Sequence, residues 1–573
     1  MSPNQIIVLA TPVFLLLIAI EFAVGLRRGR NTYALADTFN SIGLGMLSRV
    51  AEVFGVALKL GIYVWVQAHA ALWSADGFWT SPAGWLIALV FYDFLYYWNH
   101  RIGHEVGVFW AAHVVHHQSQ HYNLSTALRQ PASYLLLGWV FYLPMAVARV
   151  PPLVFAVVGL VDLLYQFWIH TEQIGSLGRF DRWFASPSNH RVHHAVNDRY
   201  LDKNYGGILM LWDHLFGTFV PEDPKDPCVY GTRKPLESWD PVWANVEIYA
   251  GLARDSARSG RWRDRWRTWL KPPGWRAADV AARWPAPTFD IAQTRHFDPP
   301  ASTAARGLAV LMFAALLGGV AAFLWTADAR PVLNNLAWGC VLTAVLWAQG
   351  AMLQRRITPG MALMIVSAAL ATLSASEGWT DLHRVAKPLT MLIALGLAWR
   401  SAGHGRGWLV AALLGSLAGD VFLMFSGFFI AGLASFLLAH LSYLVRFRLD
   451  APWLHSRRAA LAVGAVAVLM YTLLWTGGLP AGLRGPVAAY VLAIALMTSQ
   501  AIGRATVLDE RAAWRVAVGA LFFMASDALL AIDKFLTPLP ARDLLVLSTY
   551  YAAQCLMVSG LLRSARGPSP QGA

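Results

Sequence analysis

The chain is poor in cysteine and in charged residues. Only three of its 573 residues are Cys, at Cys228, Cys340 and Cys555, and no two of them have Cys-x-x-Cys spacing. This count argues against a disulfide framework and against a thiolate metal site. Charged residues make up 14% of the chain, below the roughly 25% of soluble domains. With 57% hydrophobic residues, the sequence predicts an all-α polytopic membrane protein.

Basic residues exceed acidic ones, and the formal net charge is +13. Lys and Arg are scattered between apolar segments, without the basic stripe and stacking aromatics of nucleic-acid-binding proteins. We therefore expect no nucleic-acid partner. The positive charge indicates membrane topology and attraction to anionic lipid headgroups instead.

Apolar runs of about 20 residues predict membrane spans. The first, Ile6–Leu26, has no small-residue cleavage site before Arg27, so we interpret it as a retained anchor. Further runs in the first half cover residues 42–66, 85–98, 134–148 and 153–168. Residues 171–305 contain no such run and predict a cytosolic lobe and linker. Within that lobe, Arg261–Trp269 alternates Arg with Trp and predicts an amphipathic segment at the membrane surface.

The second half, residues 306–573, contains about ten further apolar runs. If they alternate in direction from a cytosolic Arg306, the inward ends collect arginines such as Arg355, Arg400, Arg446 and Arg504. This agrees with the positive-inside rule. The same rule puts the histidine motifs described next on the cytosolic face of an inner membrane.

Histidines are concentrated between residues 100 and 194. They form His-x-x-x-His, then His-x-x-His-His twice, with one isolated histidine between the last two motifs. On a helix, residues three or four apart lie on one face, so each motif can direct two or three imidazoles at one point. The candidate metal ligands are His100, His104, His113, His116, His117, His170, His190, His193 and His194.

Several readings of these histidines compete. A single one could be a hydrogen-bonded polar residue at the membrane interface, but three motifs of this form favour a metal site. A zinc peptidase is excluded because His104-Glu105 would need a second histidine at position 108, which is Val. Nine histidines exceed the four ligands of one zinc ion and suit two metals with four or five imidazoles each. Ligand type alone leaves two zinc ions open, and a metal carrier or sensor is the non-enzymatic alternative.

The segments around these histidines resemble the fatty acid hydroxylase (sterol desaturase) superfamily, and most closely its alkylglycerol monooxygenase branch, whose members use a pterin to cleave ether lipids. The resemblance covers roughly residues 1–300, which we predict to be one domain. It is carried by Asp93–Glu105, His113–Gln118, Asn123–Gln130, Ser188–His194, Asp202–Gly207 and Trp212–Thr218.

The resemblance implies a non-haem di-iron centre that activates O2 and hydroxylates a lipid chain. Carried over to this chain, eight histidines would be ligands, His170 matches an additional histidine of the family, and Glu105 matches its neighbouring acid. Tetrahydrobiopterin or another reductant, and hence an electron donor, is implied as well. His121 and His214 fall at variable positions, and Asp93 is expected to support a ligand from behind. Other members of this superfamily hydroxylate or desaturate sterols, fatty acyl chains or carotenoids, so the resemblance is also compatible with those reactions.

Ionisable residues inside predicted spans of the second half mark a second candidate site. Asp420 and Asp527 are expected at similar depth, where two buried carboxylates would serve as acid and base. His440 and Lys387 are further candidates, although the predicted topology puts His440 nearer the cytosolic half. These residues could instead tie helices together or serve a proton-coupled transporter.

Residues of about 330–565 resemble the YhhN family, whose characterised animal members are lysoplasmalogenases. The resemblance is carried by Lys387-Pro388, Gly419-Asp420, Ala431–Tyr443, Ser526–Phe535 and Tyr550–Gln554. It implies a domain of about eight spans, and so eight to ten here, that hydrolyses a vinyl ether with Asp420 and Asp527 as its acid–base pair. Tyr443 and Gln554 would line the pocket with His440 and Lys387.

The two resemblances imply related chemistry. An O-alkyl oxygenase and a vinyl ether hydrolase both convert a membrane ether lipid to an aldehyde through a hemiacetal. The sequence therefore predicts a fused ether-lipid enzyme. The alternative within enzymes is a hydroxylase or desaturase of another lipid chain, with the second half as a non-catalytic scaffold.

Overall fold

The computed structural model describes residues 2–72, 77–133, 137–401 and 403–564. Across these residues regular structure is helical, apart from two isolated bridges, Phe184 with Leu209 and Ala195 with Tyr230. The chain forms two compact units, the first comprising 1–302, 309–329 and 353–355, and the second 303–308, 330–352 and 356–573. The predicted all-α class is confirmed, and the apolar helices agree with a multi-pass membrane protein.

The described residues of the first unit form thirteen α-helices before residue 302. They are α1 (Pro3–Arg27), α2 (Leu35–Glu52), α3 (Val56–Ala70), α4 (Pro82–Glu105), α5 (Gly107–His117), α6 (Leu124–Ala127), α7 (Leu143–Val147), α8 (Pro152–Trp168), α9 (Pro187–His194), α10 (Leu211–Phe216), α11 (Pro241–Arg258), α12 (Trp262–Leu270) and α13 (Ala278–Arg283).

Ten helices follow. They are α14 (Thr303–Thr326), α15 (Val332–Leu353), α16 (Pro359–Ser376), α17 (Thr380–Trp399), α18 (Arg406–Leu423), α19 (Phe429–Arg448), α20 (Arg457–Thr476), α21 (Ala481–Leu508), α22 (Arg511–Phe535) and α23 (Arg542–Ser564). Among the described residues, α1 and nine of these ten helices are long and apolar enough to cross a membrane. Helix α17 is the exception, because it carries Asp381, Arg384 and Lys387 along one part of its length.

Two predicted spans of the first half are wrong as single helices. The run at 42–66 breaks at Gly55, where backbone N–H groups turn back to Ala51 and Glu52, and the two helices meet at 57°. The run at 134–148 begins at residues outside the described part, and the rest forms a 3-10 turn, Gly138–Tyr142, followed by the short helix α7. Pro144 and the left-handed Arg149 (φ 59°) confine α7 to less than the about 20 residues that a span needs.

The helices that carry the histidines begin and end at defined signals. Helix α4 starts at Pro82, and the Ser81 hydroxyl accepts the Gly84 N–H. Helix α9 starts at Pro187 in the same way, capped by Ser186, and all of its residues are buried. Between α4 and α5 the chain turns at Val106–Gly107, and Gly107 packs on the backbone of Thr268–Lys271. A side chain at Gly107 would push the start of α5 away from α12.

The core of the second unit lies between α16–α19 and α21–α23. It combines small residues with Met and aromatic side chains, including Met391, Phe436, Phe523 and Tyr550. Close packing needs glycine at Gly419, where a Cβ atom would lie 2.6 Å from the Phe436 ring. The polar residues considered below are embedded in this apolar core.

Candidate metal centre and second polar site

Nine histidines form two groups in the first unit. In each group the candidate ligand nitrogens lie within 4.8 Å of one another. The first group contains His100, His104, His113, His117 and His193. The second contains His116, His170, His190 and His194. The structure thus brings together all nine histidines selected from the sequence, in sets of five and four.

Each His-x-x-His-His motif is divided between the groups. On α5, His113 and His117 belong to the first group and His116 to the second. On α9 the assignment is reversed, since His190 and His194 belong to the second group and His193 to the first. The residues four apart share a face, whereas the histidine between them points to the other group. Both groups are therefore built from both helices.

Backbone carbonyls fix the orientation of four imidazoles. In the first group, Nδ1 of His100 donates to the Tyr205 carbonyl (2.9 Å) and Nδ1 of His193 to that of Lys203 (3.0 Å). In the second, Nδ1 of His116 lies 3.0 Å from the Arg129 carbonyl oxygen. A carbonyl oxygen only accepts, so each Nδ1 carries the proton and Nε2 presents a lone pair.

The fourth anchored imidazole, His170, shows that the groups suit a cation. Its Nδ1 donates to the Gln166 carbonyl (2.8 Å), and its Nε2 lies 3.2 Å from Nε2 of His116. Two lone pairs therefore face each other at hydrogen-bonding distance without a proton between them. Similar Nε2 pairs join His170 with His190 (3.0 Å) and His100 with His113 (3.1 Å). A shared positive ion would turn the repulsive contact between His116 and His170 into an attractive one.

The distances also match metal coordination. An imidazole nitrogen lies about 2.1 Å from a bound transition metal, so ligands at a right angle are about 3.0 Å apart. The Nε2 pairs measured here are 3.0–3.2 Å apart. Nε2 of His193 is buried without a hydrogen-bond partner, as expected for a ligand position. The residues of both groups thus fit a metal ion.

Burial keeps these imidazoles neutral. It lowers the pKa of His116 to about 4, although the hydrogen bond that its Nδ1–H donates to the Arg129 carbonyl acts in the opposite direction. Burial, followed by the neighbouring histidines, also lowers the pKa of His113, His190 and His194 well below the ordinary value. At neutral pH these rings therefore present lone pairs rather than protons.

A carboxylate beside the first group, Asp202, was not selected from the sequence. Asp202 places Oδ1 3.5 Å from Nδ1 of His104, and its side chain is half exposed. It belongs to Asp202–Gly207, a motif that carried the family resemblance but received no role. The same loop supplies the Lys203 and Tyr205 carbonyls that orient His193 and His100.

Asp93 acts differently from the expectation that it supports a ligand directly. Its carboxylate accepts the backbone N–H groups of Ile208 and Leu209 and the indole N–H of Trp212. It therefore anchors the loop that follows Tyr205. Glu105 pairs with Arg101 (2.9 Å), has a side chain that is 42% exposed and belongs to neither histidine group.

A buried arginine supports the second group. Arg129 is 1% exposed and donates to the Val115 carbonyl (2.7 Å) at the end of α5 and to Asn40 Oδ1 (2.9 Å) on α2. Since its own carbonyl accepts His116 Nδ1, the residue joins α2, α5 and a ligand ring. His121, by contrast, faces His296 (3.3 Å), and His214 contacts the Arg182 carbonyl, so both lie outside the two groups.

In the second unit, Asp420 is buried beside a cation and a phenol. Lys387 Nζ lies 3.5 Å from Oδ1, and the Tyr550 hydroxyl donates to Oδ2 (2.7 Å). The sequence selected Lys387 and Asp420, and the structure brings them together.

Asp527 has separate partners, His440 and Tyr490. The Tyr490 hydroxyl donates to Asp527 Oδ2 (2.7 Å), and His440 Nε2 lies 3.2 Å from the same oxygen and 2.9 Å from the hydroxyl. His440 Nδ1 is buried without a hydrogen-bond partner. The predicted topology puts His440 nearer the cytosolic half, yet its side chain reaches the Asp527 carboxylate across the helix bundle.

Aromatic rings lie between the two aspartate sites. The Phe523 ring is 4.7 Å from His440 and 5.5 Å from Tyr550. One turn further along α19, the Tyr443 hydroxyl donates to Gln554 Oε1 (2.8 Å). Tyr490 and Tyr550 were not selected from the sequence, where tyrosines in apolar helices look like core residues.

Comparison with known proteins matches two regions of the chain to two families. Residues 85–218 match the fatty acid hydroxylase family, and residues 382–561 match the YhhN family. Over 186 residues the chain is 34% identical to lysoplasmalogenase TMEM86B of Rattus norvegicus, covering 75% of that protein and 32% of this chain. The chain belongs to the YhhN family.

The YhhN region is preceded by a region with other relatives. Over 234 residues, 41% of the chain, it is 43% identical to alkylglycerol monooxygenase of Homo sapiens and covers 52% of that protein. The relative of the same name in Danio rerio is 42% identical over 243 residues and 53% covered. The chain thus spans about half the length of these relatives. No solved structure matches it.

Proposed function

We propose that the first domain, residues 1–300, is a membrane-bound non-haem di-iron monooxygenase that cleaves O-alkyl ether lipids. The observation that carries this proposal is the pair of histidine groups, whose facing lone pairs suit two metal ions. Similarity to alkylglycerol monooxygenases supports the choice of an ether lipid. Two bound iron ions would activate O2 for hydroxylation of the carbon beside the ether oxygen. The resulting hemiacetal collapses to a fatty aldehyde and a glycerol derivative.

The chain's own residues would hold and orient this centre. Rings anchored by backbone carbonyls, such as those of His116 and His170, present Nε2 in a fixed orientation. Asp202 would stabilise the His104 ring through Nδ1, the nitrogen that it faces. Glu105 is a further catalytic candidate, held at the edge of the centre by Arg101. Tetrahydrobiopterin or another reductant would supply electrons, and the centre would face the cytosol at an inner membrane.

We infer a vinyl ether hydrolase activity for the second domain, residues 306–573. Lys387 and Tyr550 would position the Asp420 carboxylate to activate water, and the Asp527–His440 pair would protonate the alkene carbon. Water oxygen then bonds to the carbon that bears the ether oxygen. The hemiacetal breaks its C–O bond and releases an aldehyde and the glycerol-based alcohol. Similarity to lysoplasmalogenases supports this substrate.

Product analysis tests both activities in one preparation. Purified full-length protein, supplied with iron, O2, reductant and pterin, is given an alkylglycerol or a lysoplasmalogen separately. Each is expected to yield fatty aldehyde. If neither does, the fused function is wrong. A product that keeps its chain and gains a hydroxyl group would instead indicate a hydroxylase of another lipid.

The histidine groups predict a metal content of two iron atoms per chain. Metal analysis of protein purified without added metal, combined with O2 uptake, measures this directly. A carrier or sensor would exchange its metal readily and consume no O2. Retention of zinc after purification, with O2 uptake unaffected by added iron, would contradict the di-iron proposal.

Replacing Asp202 with Asn is expected to weaken metal binding about 10- to 100-fold, because the charge beside His104 Nδ1 is lost. Asn tolerates the left-handed backbone of Asp202 (φ 57°), so the loop itself should persist. Competition with a chelator measures the change. Asp198→Asn is the matched control, since Asp198 is exposed and pairs with Arg233. Equal metal retention in both variants would contradict a supporting role for Asp202.

A further inference from the structure

Two buried arginines meet near the ends of α19 and α21. Arg446 is 5% exposed and Arg504 is 0% exposed. They share one carboxylate, Asp450, which follows α19. Oδ2 of Asp450 accepts Arg446 Nη1 (2.8 Å) and Arg504 Nε (2.6 Å), and Arg504 Nη2 lies 2.6 Å from the same oxygen. We call Arg446, Asp450 and Arg504 the arginine cluster.

The arginine cluster carries an uncompensated positive charge. Two guanidinium groups face one carboxylate, and Arg504 Nη1 is buried without a hydrogen-bond partner. Glu510 is also within electrostatic range of Arg504, but its side chain is exposed to the surroundings. An unpaired charge inside a membrane protein is costly and marks a functional site by default.

The chemistry of the cluster favours a phosphate. Guanidinium groups bind phosphate oxygens with charge-assisted, often bidentate, hydrogen bonds. Both arginines lie close to helix ends, where lipid headgroups are found beside a membrane-spanning helix. Helix C-termini also attract cations, which explains one arginine per helix but leaves the orphaned Nη1 unexplained.

We propose that the arginine cluster binds the phosphodiester of a lysoglycerophospholipid whose vinyl ether reaches the Asp527–His440 site. This inference rests on the proposed hydrolase function and assigns the site that would hold the phosphorylated headgroup of its lysoplasmalogen substrate. Asp450 holds the two guanidinium groups in place, and the phosphate supplies the missing negative charge.

The spacing along α19 supports this arrangement. His440, Tyr443 and Arg446 follow one another at intervals of three residues and are all buried. His440 and Arg446 are separated by a rise of about 9 Å along the helix. In the substrate, about six bonds join the vinyl ether carbon to phosphorus, which extend to about 7 Å. Contacts of a few ångström at either end complete the span, with Tyr443 and Gln554 beside the glycerol.

The test compares hydrolysis of 1-alkenyl-glycerophosphocholine with that of 1-alkenylglycerol by the full-length protein. Arg504→Gln is expected to raise KM for the phosphorylated substrate about 10- to 100-fold, because charge-assisted hydrogen bonds are lost. Its rate on alkenylglycerol should stay within about twofold of wild type. Arg448→Gln is the matched control, since Arg448 lies on the same helix but is exposed.

Free anions distinguish the substrate phosphate from other sources. Glycerophosphocholine should inhibit the wild type competitively and Arg504→Gln much less. If inorganic phosphate inhibits the wild type as strongly as glycerophosphocholine does, the arginine cluster binds small free anions, and the substrate role is overturned. Activity that rises with the anionic lipid content of the vesicles, equally for both substrates, would indicate that the arginine cluster binds bulk lipid. That result would also overturn the substrate role.

If folded Arg504→Gln protein hydrolyses neither 1-alkenyl-glycerophosphocholine nor 1-alkenylglycerol, the arginine cluster is purely structural and the proposal is overturned. If that variant does not fold, the same two substrates are compared in Arg446→Gln and in the charge-preserving Arg504→Lys. If the wild type hydrolyses neither substrate, the hydrolase function fails independently. Thermal stabilisation by the non-hydrolysable 1-alkyl-glycerophosphocholine, compared with 1-alkylglycerol, then decides whether the arginines bind phosphate.

Discussion

Replacing His116 with Ala is expected to abolish aldehyde release from an alkylglycerol while vinyl ether hydrolysis continues. The substitution leaves three of four imidazoles in the second group and removes the partner that faces His170 at 3.2 Å. The iron content should fall by about one atom per chain, and the rate of oxygenation should fall at least about 100-fold. Metal analysis measures the iron content, and separate aldehyde assays measure oxygenation and vinyl ether hydrolysis.

His214→Ala is the matched control for this experiment. His214 is a histidine of the same unit that contacts the Arg182 carbonyl and lies outside both groups. It should keep iron and both activities. Full oxygenation by His116→Ala would remove His116 from the proposed ligands. Loss of both activities, with the protein still in the membrane, would contradict two separate sites.

Asp527→Asn is expected to have the opposite effect. Asn has nearly the same shape but removes the charge that accepts the Tyr490 hydroxyl and faces His440. Hydrolysis of a lysoplasmalogen should fall about 10²- to 10⁴-fold, as expected for loss of acid–base catalysis. Iron content and alkylglycerol oxygenation should be unchanged.

Asp509→Asn provides the comparison for this second variant, because Asp509 is exposed beyond the end of α21 in a left-handed conformation that Asn accepts. It should hydrolyse at the wild-type rate. If Asp527→Asn also keeps that rate while Asp420→Asn loses it, the acid–base pair must be sought around Asp420 alone.

The histidine pattern predicted which residues come together but not how they divide. Spacing of three and four residues puts His113, His116 and His117 near one side of a helix. It does not show that His116 belongs to a different group, because the angle between two groups depends on how α5 and α9 pack. The position of α5 in turn depends on tertiary contacts such as those of Arg129 and Gly107.

Helix breaks were harder to predict than helix existence. The apolar run at 42–66 has no proline, and its bend at Gly55 depends on local turn hydrogen bonds. In the second unit, Asp420 and Asp527 were selected because charge is rare in apolar helices. Their phenolic partners, Tyr490 and Tyr550, were missed because only the folded bundle shows that each hydroxyl faces a carboxylate.

The exchange of histidines between α5 and α9 has a consequence for how the centre acquires its ions. Each helix contributes two rings to one group and one ring to the other. An ion that enters either group must therefore fix the separation and rotation of both helices, and in doing so it completes the neighbouring group. We expect metal uptake to be cooperative, with singly loaded protein scarce at every iron concentration.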